Sequence, residues 1–414
     1  MTLNKMGRRA VTASIASIVS VAMGLGLTAC GNDYTVAYLY ATTAHANPGL
    51  INGYKIDYQS GTLDVLADSP IPSGGRNPVT IVAAPGGKAV YSIHRDDSSV
   101  VFFAIGTDGK LYPQATYNIR GSFATAAAID SAGKFLYVTF TYQNNADNSQ
   151  LYTPANPGPG GISIFSINGA DTPNPGALVP LPALQNQNVG RNPIGIVAGN
   201  NRVYVIEQDT ASTNNLLGFS ADPTSGLLTP LPGVTINPGN VPSTGFPTGT
   251  TPSGIIENSS STFLYLTDQA ANTVTAYSID PNSGIPAKVG NGTVTDAGPM
   301  GMSFDLTGKF LYVANYTGGT VGGYTIAADG EPVTSTVAAS VQAGTGPTCI
   351  TVIGSPIATA AHAVYLYTSN ALSNTISGMQ LDPTDGSLRQ IQNTPFTAST
   401  LPTCLVTVPA IPPH

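Results

Sequence analysis

Charge is scarce in this 414-residue chain: Lys and Arg number 15, Asp and Glu 22, and together they make up 9% of it. A surface with so few cations lacks the footprint that nucleic-acid binding requires. Scarce charge would point to disorder if apolar residues were scarce too, but these reach 42% and are strongly patterned. Histidine is nearly missing. The four residues, His45, His94, His362 and His414, are too scattered for a His-rich metal site. No G-x-S-x-G, H-E-x-x-H or C-x-x-C run occurs, so the usual signatures of serine hydrolases, zinc proteases and dithiol chemistry are absent. The composition calls for no cofactor and no metal. Three cysteines remain to be explained: Cys30, Cys349 and Cys404.

The N-terminus accounts for the first. Lys5, Arg8 and Arg9 form a basic segment, Ala10 to Leu27 an apolar one, and "LTAC" closes it at Cys30. This resembles the lipobox of bacterial lipoproteins, which implies that residues 1–29 are a signal peptide and that Cys30 becomes the lipidated N-terminus. An uncleaved membrane anchor is the alternative, since the stretch is almost long enough to span. Gly31 after the cysteine gives no inner-membrane retention signal of the familiar kind. The expectation is an exported protein held in the cell envelope, periplasm or outer membrane, by its N-terminal lipid alone. Without the leader, Lys and Arg fall to 12 against 22 acids, a net charge of about −10. In an oxidising compartment Cys349 and Cys404 are then candidates for a disulfide.

From residue 30 to 414 the chain repeats. The clearest unit, Gly298 to Val337, holds four β-prone runs, "MGMSFD", "KFLYVAN", "TVGGYTI" and "EPVTSTV", separated by "TGK", "YTGG" and "ADG" turns. Its second run recurs seven times, marked by Tyr38, Tyr91, Tyr137, Tyr204, Tyr265, Tyr312 and Tyr365 at spacings of 46 to 67 residues. Propeller blades repeat at roughly 40–50. Pro/Gly/Asn-rich insertions such as "GVTINPGNVPSTGFPTGTTP" explain the longer intervals, because the pattern resumes in phase after each. The first unit lacks a first strand, and the C-terminal "LPTCLVTVP" (Leu401 to Pro409) is a first strand with no unit after it. It nearly repeats "GPTCITVIG" (Gly346 to Gly354). The reading is an all-β, seven-bladed propeller of four-stranded antiparallel blades, closed by a C-terminal strand that completes the first blade. A β-solenoid or paired sandwiches would leave the matched half-repeat without a purpose. Closure also removes exposed sheet edges. The paired "PTC" positions put Cys349 and Cys404 on neighbouring inner strands.

The units "GKFLYVTF" (Gly133 to Phe140), "TFLYLTDQAANTVTAYSIDPNSG" (Thr262 to Gly284) and "GKFLYVANYTGGTVGGYTI" resemble the seven-bladed lactonase family. That family includes bacterial 6-phosphogluconolactonase and fungal carboxymuconate cyclase, and its strand motifs are shared by cell-surface proteins with YVTN repeats. The resemblance implies a small lactone as substrate. Enzymes of the family commonly carry an Arg-His pair just after the Pro that opens an inner strand. Here those places hold Val79, Ile194, Ser253, Met300, Thr348 and Thr403, so a lactonase site would have to be rebuilt from other residues on the same face.

The repeat itself says which residues share that face. Three steps past the marker tyrosines stand Ala41, His94, Phe140, Glu207, Asp268, Asn315 and Thr368, and the loops into the inner strands add Arg76, Arg120 and Arg191, with Arg95 after His94. Lys88, Lys134 and Lys309 fall at the opposite end. Glu207 and His94 are the candidate catalytic groups, either able to take a proton from water. Arg76, Arg95, Arg120, Arg191, Asp268 and Asn315 are candidate ligand contacts, the arginines suited to a carboxylate or phosphate and to an ester oxyanion. Plainer roles are also open: Arg76 and Arg191 would tie Asn-Pro turns to neighbouring blades, with Glu207 balancing Arg191. The expected protein is a monomer that hydrolyses or binds a small anionic lactone. The alternatives are a non-catalytic ligand- or protein-binding propeller of the cell surface and a surface-layer component.

Overall fold

The second strand of each repeat is buried along nearly its whole length because neighbouring strands cover its edges and adjacent blades its faces. Ala89–His94 and Phe310–Asn315 are buried at every residue. In the computed structural model the described residues are 35–414, except 45–46, 145–149, 157, 182–186, 210–211, 214, 238–240, 250, 336–338, 355–363 and 411–414. The leader 1–29, Cys30, His45, His362 and His414 lie outside the described residues.

Thr35–His414 forms one unit of seven antiparallel sheets, each running from an inner to an outer strand. Blade 6 shows the pattern: Pro299–Phe304 innermost, then Phe310–Asn315, Thr320–Ile326 and the short outer Pro332–Thr334. Blade 1 is made from both ends of the unit. Its second strand, Thr35–Thr43, pairs on one side with Leu50–Asp57 and on the other with Pro402–Pro409. The seven inner strands touch one another in sequence around a closed ring, the last meeting both Pro347–Gly354 and Pro78–Ala83. Apolar clusters fill the spaces between adjacent blades, as where Tyr54, Tyr365, Tyr367 and Leu405 join blades 7 and 1.

The register differs from the sequence reading in two blades. In blades 2, 4, 5 and 6 the marker tyrosine lies three residues before the partner of the Pro that opens the inner strand. By that rule the markers of blades 1 and 7 are Tyr40 and Tyr367, not Tyr38 and Tyr365, because Thr43 pairs with Pro402 and Asn370 with Pro347. The "YLY" runs caused the shift: their first tyrosine occupies the place of Phe in "FLY". The true markers share one job. Tyr40, Tyr91, Tyr204, Tyr265, Tyr312 and Tyr367 each donate a hydrogen bond to a glycine carbonyl in the next blade, at Gly109, Gly176, Gly284, Gly330, Gly386 and Gly61. Those glycines have positive φ, as the tight turns between third and outer strands require. Burial holds the phenols of Tyr91, Tyr204 and Tyr312 well above the usual range, so they act as fixed donors.

The residues after the inner-strand prolines also work between blades. Ser253 donates to the Pro299 carbonyl, Thr348 to that of Thr403, and Thr403 to that of Pro78. Beside them Cys349 and Cys404 are joined by a disulfide, with Cα atoms 5.0 Å apart.

Candidate functional site

All second strands end on one face of the ring. There the register sets a side chain opposite the first residue of the inner strand in six blades, Thr43, His94, Glu207, Asp268, Asn315 and Asn370, and in blade 3 Phe140 stands opposite Ala124. The corrected register replaces Ala41 and Thr368 with Thr43 and Asn370. All seven are buried. Five of them lie under a glycine, Gly75, Gly190, Gly249 and Gly344 three residues before the strand opening and Gly121 three residues before Ala124. A Cβ on any of these would collide with His94, Glu207, Asp268, Asn370 or Phe140 respectively. The spacing G-x-x-P in "GGRNP", "GRNP", "GTTP" and "GTGP" is the signal that could have revealed these lids from sequence.

Beneath the lids the chemistry varies. Asp268 accepts backbone N–H bonds from Thr251, Ala270 and Ala271 at 3.2, 3.0 and 2.9 Å, so it caps its own hairpin. The Nδ2 of Asn315 donates to Thr320 Oγ1 at 3.1 Å. His94 Nε2 lies 3.0 Å from Ser73 Oγ, and burial pushes the imidazole down to about 4, so it is neutral at pH 7. Glu207 differs from all of these. It is 0% exposed and neither carboxyl oxygen has a hydrogen-bond partner. Burial first, then the nearby Asp209 charge, pushes it up to about 8 against the pull of Arg191.

The arginines divide into two kinds. Arg191 makes a bidentate pair with buried Asp209, Nε and Nη2 both at 2.7 Å, rather than balancing Glu207. Arg76 pairs with Asp97, its Nε donating at 2.7 Å, and so ties its Asn-Pro turn to the hairpin of the same blade. Arg95 and Arg120 are exposed, and among the described residues no carboxylate pairs with either. The Arg95 guanidinium lies 5.5 Å from the centre of the Phe123 ring, which meets Tyr142 edge-on at 5.6 Å. Aromatic residues on this face were not among the sequence candidates. Among the described residues no three His, Cys, Asp or Glu side chains gather as a metal site.

Residues 242–352 match the family of seven-bladed β-propeller lactonases. The fold is that of a lactonase-type propeller. A putative 6-phosphogluconolactonase from Bacteroides fragilis superposes with a TM-score of 0.63 at 19% identity, over 91% of this chain and 99% of that one. The periplasmic gluconolactonase of Pseudomonas aeruginosa gives 0.67 at 15% identity, over 91% and 99%. A second putative 6-phosphogluconolactonase, from Bacteroides uniformis, gives 0.65 at 17%, over 90% and 99%. At these identities the likeness speaks for the fold. No curated protein matches the sequence.

Proposed function

We propose that this chain is an envelope-anchored propeller that binds and hydrolyses a small anionic lactone, of the sugar-acid or muconate type, on the face where the second strands end. The observation that carries the reading is Glu207. A buried carboxyl without hydrogen bonds is costly to keep, and such groups concentrate at functional sites. Held up to about 8, it carries its proton at pH 7. It is therefore suited to protonate the leaving alkoxide, and takes a proton from water only above that pH. Reaching a substrate requires the Gly190–Asn192 turn to swing aside. The uncommitted Arg95 and Arg120 are the cations left to hold the ligand's carboxylate or phosphate, since Arg76 and Arg191 are already paired.

A panel of sugar-acid and muconate-type lactones offered to the purified protein tests this. For a lactone that is turned over, Glu207→Gln should lower kcat roughly 10²–10⁴-fold. Arg95→Ala and Arg120→Ala should raise KM with the fold intact, and Lys309→Ala, at the opposite end, should change nothing. Equal activity in Glu207→Gln and Lys309→Ala would end the mechanism. A second reading has one observation in its favour: Glu207 and His94 are both 0% exposed. If no lactone is hydrolysed while anions bind through Arg95 and Arg120, the protein is a non-catalytic binding propeller.

A further inference from the structure

Blade 5 breaks the repeat twice, and both departures meet at one cavity. Its outer strand, Pro286–Val294, runs nine residues where most blades have three. Within it Gly290, Asn291 and Gly292 stand opposite the single Thr275, since Val289 pairs with Ala276 and Thr293 with Val274. Gly290 and Gly292 have φ of 62° and 92°, which lets the strand bow outward. The second departure is the long connection from blade 4, in which Thr248 and Gly249 close the other side.

The space between them is about 180 Å³. A cavity of roughly 150 Å³ already holds a six-membered ring. Thr273, Thr275, Lys288 and Asn291 line it, over a floor that includes Leu266 and Tyr277. None of those four polar side chains has a hydrogen-bond partner among the described residues. Tyr277, by contrast, spends its hydroxyl on the Pro247 carbonyl, and Asp268 is saturated by backbone donors. Gly292 sits against the Thr275 hydroxyl, where any side chain would fill the space. In a chain this poor in cations, Lys288 is an unpaired ammonium at the rim of a hydroxyl-lined hollow.

We infer that this cavity is a second binding site, separate from Glu207, and that it takes an acidic sugar of monosaccharide size. The ring lies over Leu266 and Tyr277, its hydroxyls meet Thr273, Thr275 and Asn291, and its carboxylate meets Lys288. A cavity bounded by a bulge and an insertion can be acquired without disturbing the seven-fold core, which is how sites are commonly added to a fold.

Titration calorimetry of the whole protein with glucuronate, and separately with glucose, tests the inference. Glucuronate should bind saturably and glucose at least tenfold more weakly. Thr275→Val, Asn291→Ala and Lys288→Met should each weaken glucuronate binding roughly tenfold or more, the loss of one hydrogen bond to a charged or polar ligand. Their melting temperatures should stay unchanged, and so should any lactone turnover. Lys309→Met should bind as the parent does. Absence of saturable glucuronate binding, equal affinity for glucose, or unaltered affinity in Thr275→Val and Asn291→Ala would each overturn it.

Discussion

Glu207 and His94 make stability depend on pH in opposite senses. The folded protein holds Glu207 at about 8, above its value of about 4.5 in the unfolded chain. Between those values the native state binds the extra proton, so stability is greatest below 4.5 and is lost as pH rises through 8. The full effect is on the order of 5 kcal/mol. His94 is pushed down to about 4, so its contribution is complete above 6.5 and disappears as pH falls through 4. Melting temperatures taken from pH 5 to 9 should therefore fall on the alkaline side in the parent, and much less in Glu207→Gln. A parallel fall in both would assign the slope to other groups. Two further residues carry backbone cost on the same face. Phe123 and Leu401 have φ of 63° and 58° at turn positions where other blades use Asn77, Asn192, Gly298 and Gly346. Such a conformation costs about 1–3 kcal/mol in a bulky residue. Leu401 is exposed, so Leu401→Asn should stabilise the fold by about 1 kcal/mol in chemical denaturation. Phe123→Asn should gain less, since it gives up the contacts with Arg95 and Tyr142.

At the level of strands, hydroxyls bind one blade to the next. A buried tyrosine that loses its hydroxyl leaves a glycine carbonyl unpaired, so Tyr312→Phe should cost about 1–3 kcal/mol. Tyr316→Phe, on the half-buried mouth turn, should cost little by comparison, and similar losses in both would count against the staple. These strands also show how far a sequence can be read. Blade number, strand order and closure followed from periodicity, because a period of four runs and a turn is written in many residues at once. A two-residue slip in blades 1 and 7 went unseen because strand period is two, so Tyr38 and Tyr40 point the same way. The face carrying His94, Glu207 and the arginines was legible for the same reason. Their partners were not: nothing in the spacing of Arg191, Glu207 and Asp209 says which carboxylate the guanidinium takes. Nor does hydropathy mark Glu207 as sealed, a consequence of the lid glycine at Gly190.

For the whole ring, the seam between blade 1 and its neighbours decides stability. Removing residues 402–410 should leave the inner edge of the second strand of blade 1 unpaired and abolish cooperative melting, checked by calorimetry on the truncated protein. An unchanged transition would mean that the ring closes another way. Cys349 and Cys404 close a loop of 55 residues across the same seam. In the chain-entropy account that is worth about 4 kcal/mol. Cys349→Ser in the otherwise intact protein should lose stability of that order in urea, and a reducing agent should have no effect on that variant.

The seam also sets an order of events in time. Thr42 and Thr403 meet through their hydroxyls although 361 residues separate them. Bringing such distant segments together costs roughly 3 kcal/mol more in chain entropy than closing a ten-residue hairpin. The hairpin of blade 1 stands at the start of the unit, yet its sheet is complete only when the last strand docks. Until then an open arc of blades must persist with two raw edges, one at each end. Folding speed should thus be governed by a single late docking event, and the interval before it is when the molecule is most exposed to aggregation and proteolysis.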